Sequence, residues 1–182
     1  MDRADPGLSM IDRHGADSAS AEHRQLWEFL TAQRECVLAI VEGLDEAAFR
    51  KTVVPSGWTP LGMIEHLGHA ERFWFQHVVT GDVGDLPWPT SAADEEDGRF
   101  ASDHPVDAVL AFYRDQCARS DAVLSSVALN AEPRGQIPYD MADLSRNVRT
   151  IVLHMIEETA RHAGHLDIAR ELTDGRTGLG PR

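Results

Sequence analysis

Two segments decide the fold: residues 58–78, WTPLGMIEHLGHAERFWFQHV, and residues 154–168, HMIEETARHAGHLDI. In both segments apolar residues recur every three to four positions, the spacing of a helix with one face toward a core. Thr59 is a favourable N-cap, and Pro60 suits the first helical position. The first segment therefore predicts a helix from Pro60 to about Thr80.

The rest of the chain predicts three more helices and no convincing strand. They cover about residues 20–44, residues 105–127 with Asp103 as the cap, and residues 143–172 before the Asp174-Gly175 stop. Four helices of this length predict an all-α fold, a four-helix bundle. The polar stretch 82–103 is expected to form a long loop between the second and third helices.

The chain has 182 residues, of which 42% are hydrophobic and 26% are charged. These values are typical of one globular domain. We expect the bundle to span residues 19–178 and the first 18 residues to be flexible. Cys36 and Cys117 are isolated in helical stretches and are predicted to be buried free thiols.

The net charge of -13 argues against a nucleic acid or an anionic membrane surface as a partner, because both attract basic patches. No apolar run reaches the roughly 18–20 residues of a membrane span. The polar N-terminal segment does not resemble a signal peptide. We therefore expect a cytoplasmic protein. Lys51 is the single lysine among 17 basic residues, an arginine bias that suggests GC-rich coding.

Histidines are concentrated in the two fold-deciding segments. A rotation of about 100° per residue places His66 on the apolar face of the second helix and His69 on the opposite arc. The expected outward arc also contains Glu65, Gly68, Arg72 and Gln76. His77 shares the direction of His66 but lies three turns away, roughly 16 Å along the axis.

The last helix presents Glu158, His162, His165 and His154 toward its apolar side or its edge. Glu158 and His162 are four residues apart, so they lie one turn apart on one face. The same rotation predicts which other residues of this helix face solvent and which form its apolar side. The outward set is Arg149, Glu157, Arg161, Asp167 and Glu171, and the apolar side is Val148, Ile151, Val152, Met155, Leu166, Ala169 and Leu172.

A carboxylate on a core-facing position needs a compensating partner, since burying an unpaired charge costs several kcal/mol. For Glu158 the partner would be a metal ion, a protonated histidine or an arginine. Two histidines and a carboxylate form a common set of ligands for a divalent metal. His66, Glu158 and His162 are therefore candidate ligands, with a Glu–His ion pair as the alternative. Glu71 also lies on an apolar arc, without an assigned partner.

Residues 54–74 and 154–168 resemble the second-helix and fourth-helix signatures of the DinB-like proteins. These are metal-binding four-helix bundles, and the resemblance covers about residues 20–178. Many members carry His-x-x-x-His in the fourth helix. Glu158 takes the first of those positions here, as in the branch that includes mycothiol-dependent maleylpyruvate isomerase. The resemblance implies the same three ligands: His66, Glu158 and His162.

The resemblance also implies a bacterial thiol S-transferase or isomerase that uses mycothiol or a similar small thiol. The expected metal is zinc or nickel, and the expected partners are a small-molecule thiol and an electrophilic substrate. Two alternatives stay open: a stress-associated metal-binding bundle without catalysis, and a metal-dependent hydrolase with Glu71 or His165 as the general base. His154 and His165 would otherwise complete the site or orient a ligand. A homodimer is a further expectation.

Overall fold

The structure is a computed structural model that describes residues 10–82, 84, 100–135 and 146–178, with side chains from residue 21 onward. These residues contain helices and no strands, which confirms the all-α class. The elements are α1 (Met10–Val41), the short α2 (Glu46–Phe49), α3 (Pro60–Glu71) with its π-helical continuation (Arg72–Thr80), α4 (Val106–Ser126) and α5 (Val148–Asp174).

The predicted helix from Pro60 to about Thr80 is confirmed by α3 together with its π-helical continuation. The Thr59 side chain accepts a hydrogen bond from the Gly62 N–H at 3.1 Å, and Pro60 occupies the first turn. Gly81, with φ of 77°, ends the π-helical continuation in the left-handed conformation that glycine adopts without strain. Gly175 ends α5 in the same way, with φ of 76°.

Other boundaries differ from the predictions. Asp103 is not the cap of α4, because Pro105 holds the N-cap position and no side chain caps that end. Helix α5 begins at Val148, five residues later than predicted, and Asn147 caps it by accepting from the Thr150 N–H at 3.0 Å. Helix α1 already begins at Met10, whereas residues 1–9 of the expected flexible segment lie outside the described residues.

Helices α1 and α5 run parallel to each other. Arg149 near the start of α5 pairs with Glu22 of α1 at 2.6 Å. Near their ends, Arg170 of α5 donates to the carbonyl oxygens of Ile40 and Glu42 at 2.9 and 2.8 Å. Because Ile40 and Glu42 lie at the C-terminal end of α1, Arg170 satisfies carbonyls that have no partner within the helix.

Helices α3 and α4 run in the opposite direction to α1 and α5. His66 of α3 faces Glu158 of α5, whereas Trp74, farther along α3, packs on His154, an earlier residue of α5. The first part of α3 packs with the first part of α4, since a Cβ on Gly68 would lie 2.7 Å from the Phe112 ring. A parallel α3–α4 pair cannot be joined by a tight turn, because the chain has to return along the bundle between them. Most of the expected loop 82–103 lies outside the described residues.

The core has two apolar clusters, stacked along the bundle. The first contains Val37, Ile40, Val41, Phe49, Leu61, Met63, Ile64, Leu67, Val109, Tyr113, Ala163 and Leu166. The second contains Leu30, Trp74, Phe75, Val78, Val79, Leu124, Leu129, Val148, Ile151, Val152 and Met155. Glu71 and Glu158 both occur where their helices pass from one cluster to the other.

The expected outward arc of α3 is largely wrong. Glu65 and Gly68 are buried, because α4 packs against that side of the helix. Gln76 is also buried, and its amide donates to the Gln116 side chain of α4 at 2.7 Å. The wider π-helical turns after Glu71 add to the error, since they do not keep a rotation of 100° per residue.

On α5 the facing prediction is mostly confirmed. Glu157, Arg161 and Glu171 are exposed as expected. Leu172, grouped with the apolar side, is instead 57% exposed. Among the described residues no helix is both long enough and apolar enough to cross a membrane.

Candidate metal centre

Three side chains converge between α3 and α5. Oxygen Oε1 of Glu158 lies 3.1 Å from Nε2 of His66 and 3.0 Å from Nε2 of His162. One ligand atom from each residue lies within 4.8 Å of the other two. The structure thus brings together the three residues that the sequence predicts as ligands.

The local sequence explains this arrangement. Glu158 and His162 project from successive turns of α5, and α3 runs antiparallel beside them. Thr159, the next residue on α5, is buried and donates its hydroxyl to the Met155 carbonyl at 2.7 Å. Glu158 therefore lies next to a buried position of α5, while its own carboxylate is partly exposed.

The cluster is partly exposed to solvent. The exposed fractions of the His66, Glu158 and His162 side chains are 29%, 24% and 9%. Hydrogen bonds from His162 and His66 hold the pKa of the Glu158 carboxyl well below its usual range, and they outweigh burial, which acts in the opposite direction. The carboxylate is therefore charged at neutral pH, and part of it is exposed to solvent.

The donor set fits a divalent metal. Imidazole nitrogen and carboxylate oxygen both bind zinc at 2.0–2.2 Å, and neighbouring ligand atoms of a tetrahedral site are then about 3.4 Å apart. The observed separations to Oε1, 3.1 and 3.0 Å, are hydrogen-bond distances, and they lie within about 0.4 Å of that value. In the part of the chain that the structure describes, no other group of three His, Cys, Asp or Glu residues meets the same distance criterion.

His165 lies directly behind His162. The two Nδ1 atoms are 3.2 Å apart, so one ring donates a hydrogen bond to the other. On the other side, the His165 ring packs on Trp58 with centroids 6.0 Å apart. Burial lowers the pKa of His165, and the nearby His162 and Arg161 lower it further, whereas Glu158 acts in the opposite direction. His165 is thus suited to accept a hydrogen bond as a neutral ring.

The other histidines of the two segments have different surroundings. His69 lies 3.7 Å from Glu65 and packs on Phe112, on the α4 side of α3. His77 stacks on Phe73, and His154 packs edge-on against Trp74. None of the three belongs to the cluster of Glu158.

Glu71 is paired with an arginine. The Arg34 side chain donates to Oε1 and Oε2 of Glu71 at 2.8 and 2.7 Å, and to Asp121 at 2.7 Å. Glu71 and Arg34 are almost completely buried. Because Arg34 engages both carboxylate oxygens, Glu71 is poorly placed to act as a general base.

Sequence reasoning missed Arg34 and Phe100. Arg34 lies on the apolar face of α1, four residues after Leu30 and three before Val37. This position in the sequence could have predicted a buried arginine as the partner of Glu71. Phe100 stacks on His66 with ring centroids 4.1 Å apart. It is 34 residues from His66 in sequence, and no local pattern indicates the contact.

The fold and the cluster define an all-α bundle with a His–Glu–His set between two of its helices. The model of the family described as mycothiol-S-transferase matches residues 25–175. The chain therefore belongs to the mycothiol-S-transferase family, and the resemblance to DinB-like proteins is confirmed.

A solved structure supports the fold. The crystal structure of a conserved protein from Enterococcus faecalis matches with a TM-score of 0.60, covering 84% of this chain and 97% of that one. The two sequences are 13% identical, so the likeness concerns the fold alone. No curated protein matches the chain.

Proposed function

We propose that the protein is a divalent-metal-dependent thiol S-transferase in which His66, Glu158 and His162 hold the ion. The observation that carries the proposal is the convergence of two imidazole nitrogens on one oxygen of Glu158. Zinc or nickel suits this donor set. Such an ion would supply the positive charge that favours the thiolate form of a bound thiol.

The residues of the chain orient the site. In the proposal His165 is a positioning residue: it accepts a hydrogen bond from Nδ1–H of His162, which leaves Nε2 of His162 as the donor atom for the ion. Membership of the mycothiol-S-transferase family supports mycothiol as the thiol. In the transfer, the thiol releases its proton to solvent water, its sulfur bonds to the electrophilic carbon, and the leaving group departs with the bonding electrons.

The cysteines of the protein are poor substitutes for an external thiol. Burial raises the pKa of the Cys117 thiol to about 12, and the charge of Glu71 adds to the effect. Burial also raises the pKa of Cys36. Both thiols are half-buried rather than fully buried as predicted. Since the thiolate is the nucleophile, Cys117 is unreactive near neutral pH and Cys36 is less reactive than a free thiol. This supports a small-molecule thiol as the sulfur source. Action in the bacterial cytoplasm is a further part of the proposal.

The test combines metal content with turnover. We expect the purified protein to hold one equivalent of zinc or nickel after reconstitution, measured by elemental analysis. It should then conjugate mycothiol to monochlorobimane, an electrophile that becomes fluorescent. Glu158→Gln should lose at least about tenfold in activity, and Glu157→Gln, the exposed neighbour, should keep it.

Two results would overturn the proposal. If the reconstituted protein holds no stoichiometric metal, the proposed metal site is wrong. If the protein binds metal but shows no turnover with mycothiol, the proposed transferase activity is wrong and a non-catalytic metal-binding bundle is favoured. Turnover of an ester or amide substrate without any thiol would instead indicate a hydrolase.

A further inference from the structure

Phe100 contacts both histidines of the candidate metal centre. Its ring stacks on His66 with centroids 4.1 Å apart and an interplanar angle of 27°. It meets His162 edge-on, with centroids 5.7 Å apart and an angle of 90°. One aromatic side chain therefore lies against ligands from two helices.

The backbone of Phe100 is fixed to the start of α3. The Thr59 N–H donates to the Phe100 carbonyl at 2.9 Å, just outside the first turn. Gly62 makes the close approach possible, because a Cβ there would lie 2.2 Å from the Phe100 carbonyl carbon and oxygen. The helix that carries His66 thus also determines where Phe100 lies.

Residues 102–104 are fixed as well. The Arg50 guanidinium donates to the carbonyl oxygens of Ser102 and His104, both at 2.9 Å. The His104 ring lies 3.8 Å from Glu65, the neighbour of His66 on α3. Segment 100–104 is therefore held at both ends by groups that precede it in sequence.

We propose that Phe100 is a positioning residue for the metal ligand His66. This inference rests on the proposed function, in which His66, Glu158 and His162 hold an ion. Stacking restricts rotation of the His66 ring and keeps Nε2 directed at Glu158. It also excludes water from one face of the ring. A ligand that is already oriented loses less conformational freedom when it binds, so the site has a higher affinity for metal.

The test measures the metal site directly and needs no turnover. Zinc affinity is measured by competition with a chromophoric chelator, and ligand geometry by the visible absorption of the Co²⁺ form. Phe100→Ala should weaken zinc binding about tenfold and shift the Co²⁺ bands, as loss of a supporting contact around a metal ligand does. Phe100→Tyr, which keeps the ring, should restore both properties.

Phe29→Ala is the matched control, since Phe29 is 55% exposed on α1 and makes no part of the site. It should leave affinity and spectrum unchanged. Arg50→Gln keeps the Phe100 ring but removes the guanidinium contacts to the Ser102 and His104 carbonyls. We therefore expect a smaller loss of zinc affinity than for Phe100→Ala. Circular dichroism of each metal-free variant checks the fold, and Phe100→Leu replaces Phe100→Ala if the latter does not fold.

The outcomes separate the two claims. If the wild type binds zinc and Phe100→Ala or Phe100→Leu binds equally well with an unchanged Co²⁺ spectrum, the positioning role is wrong. If Arg50→Gln has wild-type affinity, the role of Arg50 as an anchor is wrong. If the wild type itself binds neither metal, the proposed function fails, and this inference fails with it.

Discussion

Glu71 and Glu158 are two carboxylates at the same boundary between the apolar clusters, and the chain compensates them differently. Glu71 is almost fully buried and accepts two hydrogen bonds from Arg34, a permanent cation. Glu158 is about one quarter exposed and has two histidines as partners, which bind a proton or a metal as conditions allow. One carboxylate is thus a fixed part of the core, and the other remains available for chemistry.

The buried pair gives the largest expected effect. Arg34→Met keeps much of the side-chain volume but leaves Glu71 without its cation in the core. We expect the free energy of unfolding to fall by roughly 3–5 kcal/mol, measured by urea denaturation without metal. A variant as stable as the wild type would show that Glu71 is protonated or compensated in another way.

The second prediction concerns zinc-dependent stability. At a free zinc concentration 100 times the dissociation constant, binding should stabilise the wild type by about 2.7 kcal/mol. Glu158→Gln should lose most of this gain. Glu157→Gln should respond to zinc as the wild type does. Equal zinc responses of the two variants would contradict the distinction between the carboxylates.

The smallest effect should come from the outer member of the Arg34 cluster. Asp121 contacts Arg34 at 2.7 Å, but its side chain is 36% exposed. Asp121→Asn should cost about 0.5 kcal/mol, as exposed ion pairs do. A loss comparable to that of Arg34→Met would mean that the whole three-residue cluster, rather than the Glu71–Arg34 pair, stabilises the core.

The sequence predicted those features of the second and last long helices that depend on a single helix: the ends of the former and the residue spacing of the latter. Thr59, Pro60 and Gly81 mark the limits of the second long helix, since caps and stops act locally. The spacing of Glu158 and His162 is likewise a property of a single helix. His66 could be added because it lies on the apolar face of its own helix.

Apart from the starts of α4 and α5, which are local features and were predicted wrongly, the features that sequence reasoning missed depend on contacts between distant segments. The burial of Glu65 and Gly68 follows from a second neighbour of α3, which a single apolar arc does not reveal. The place of Phe100 follows from the absence of a side chain at Gly62 and from a hydrogen bond donated by the Thr59 N–H. Such contacts become visible only once the helices are packed.

The parallel arrangement of α1 and α5 has a consequence for biosynthesis. Arg170 satisfies carbonyls at the end of α1 that were synthesised about 130 residues earlier. Glu158 likewise meets His66 across 92 residues. Chains are made from the N-terminus, so neither contact exists until the last helix has been translated. Docking of that helix therefore completes both the end of α1 and the His–Glu–His set, so the proposed metal could bind only after α5 has been translated.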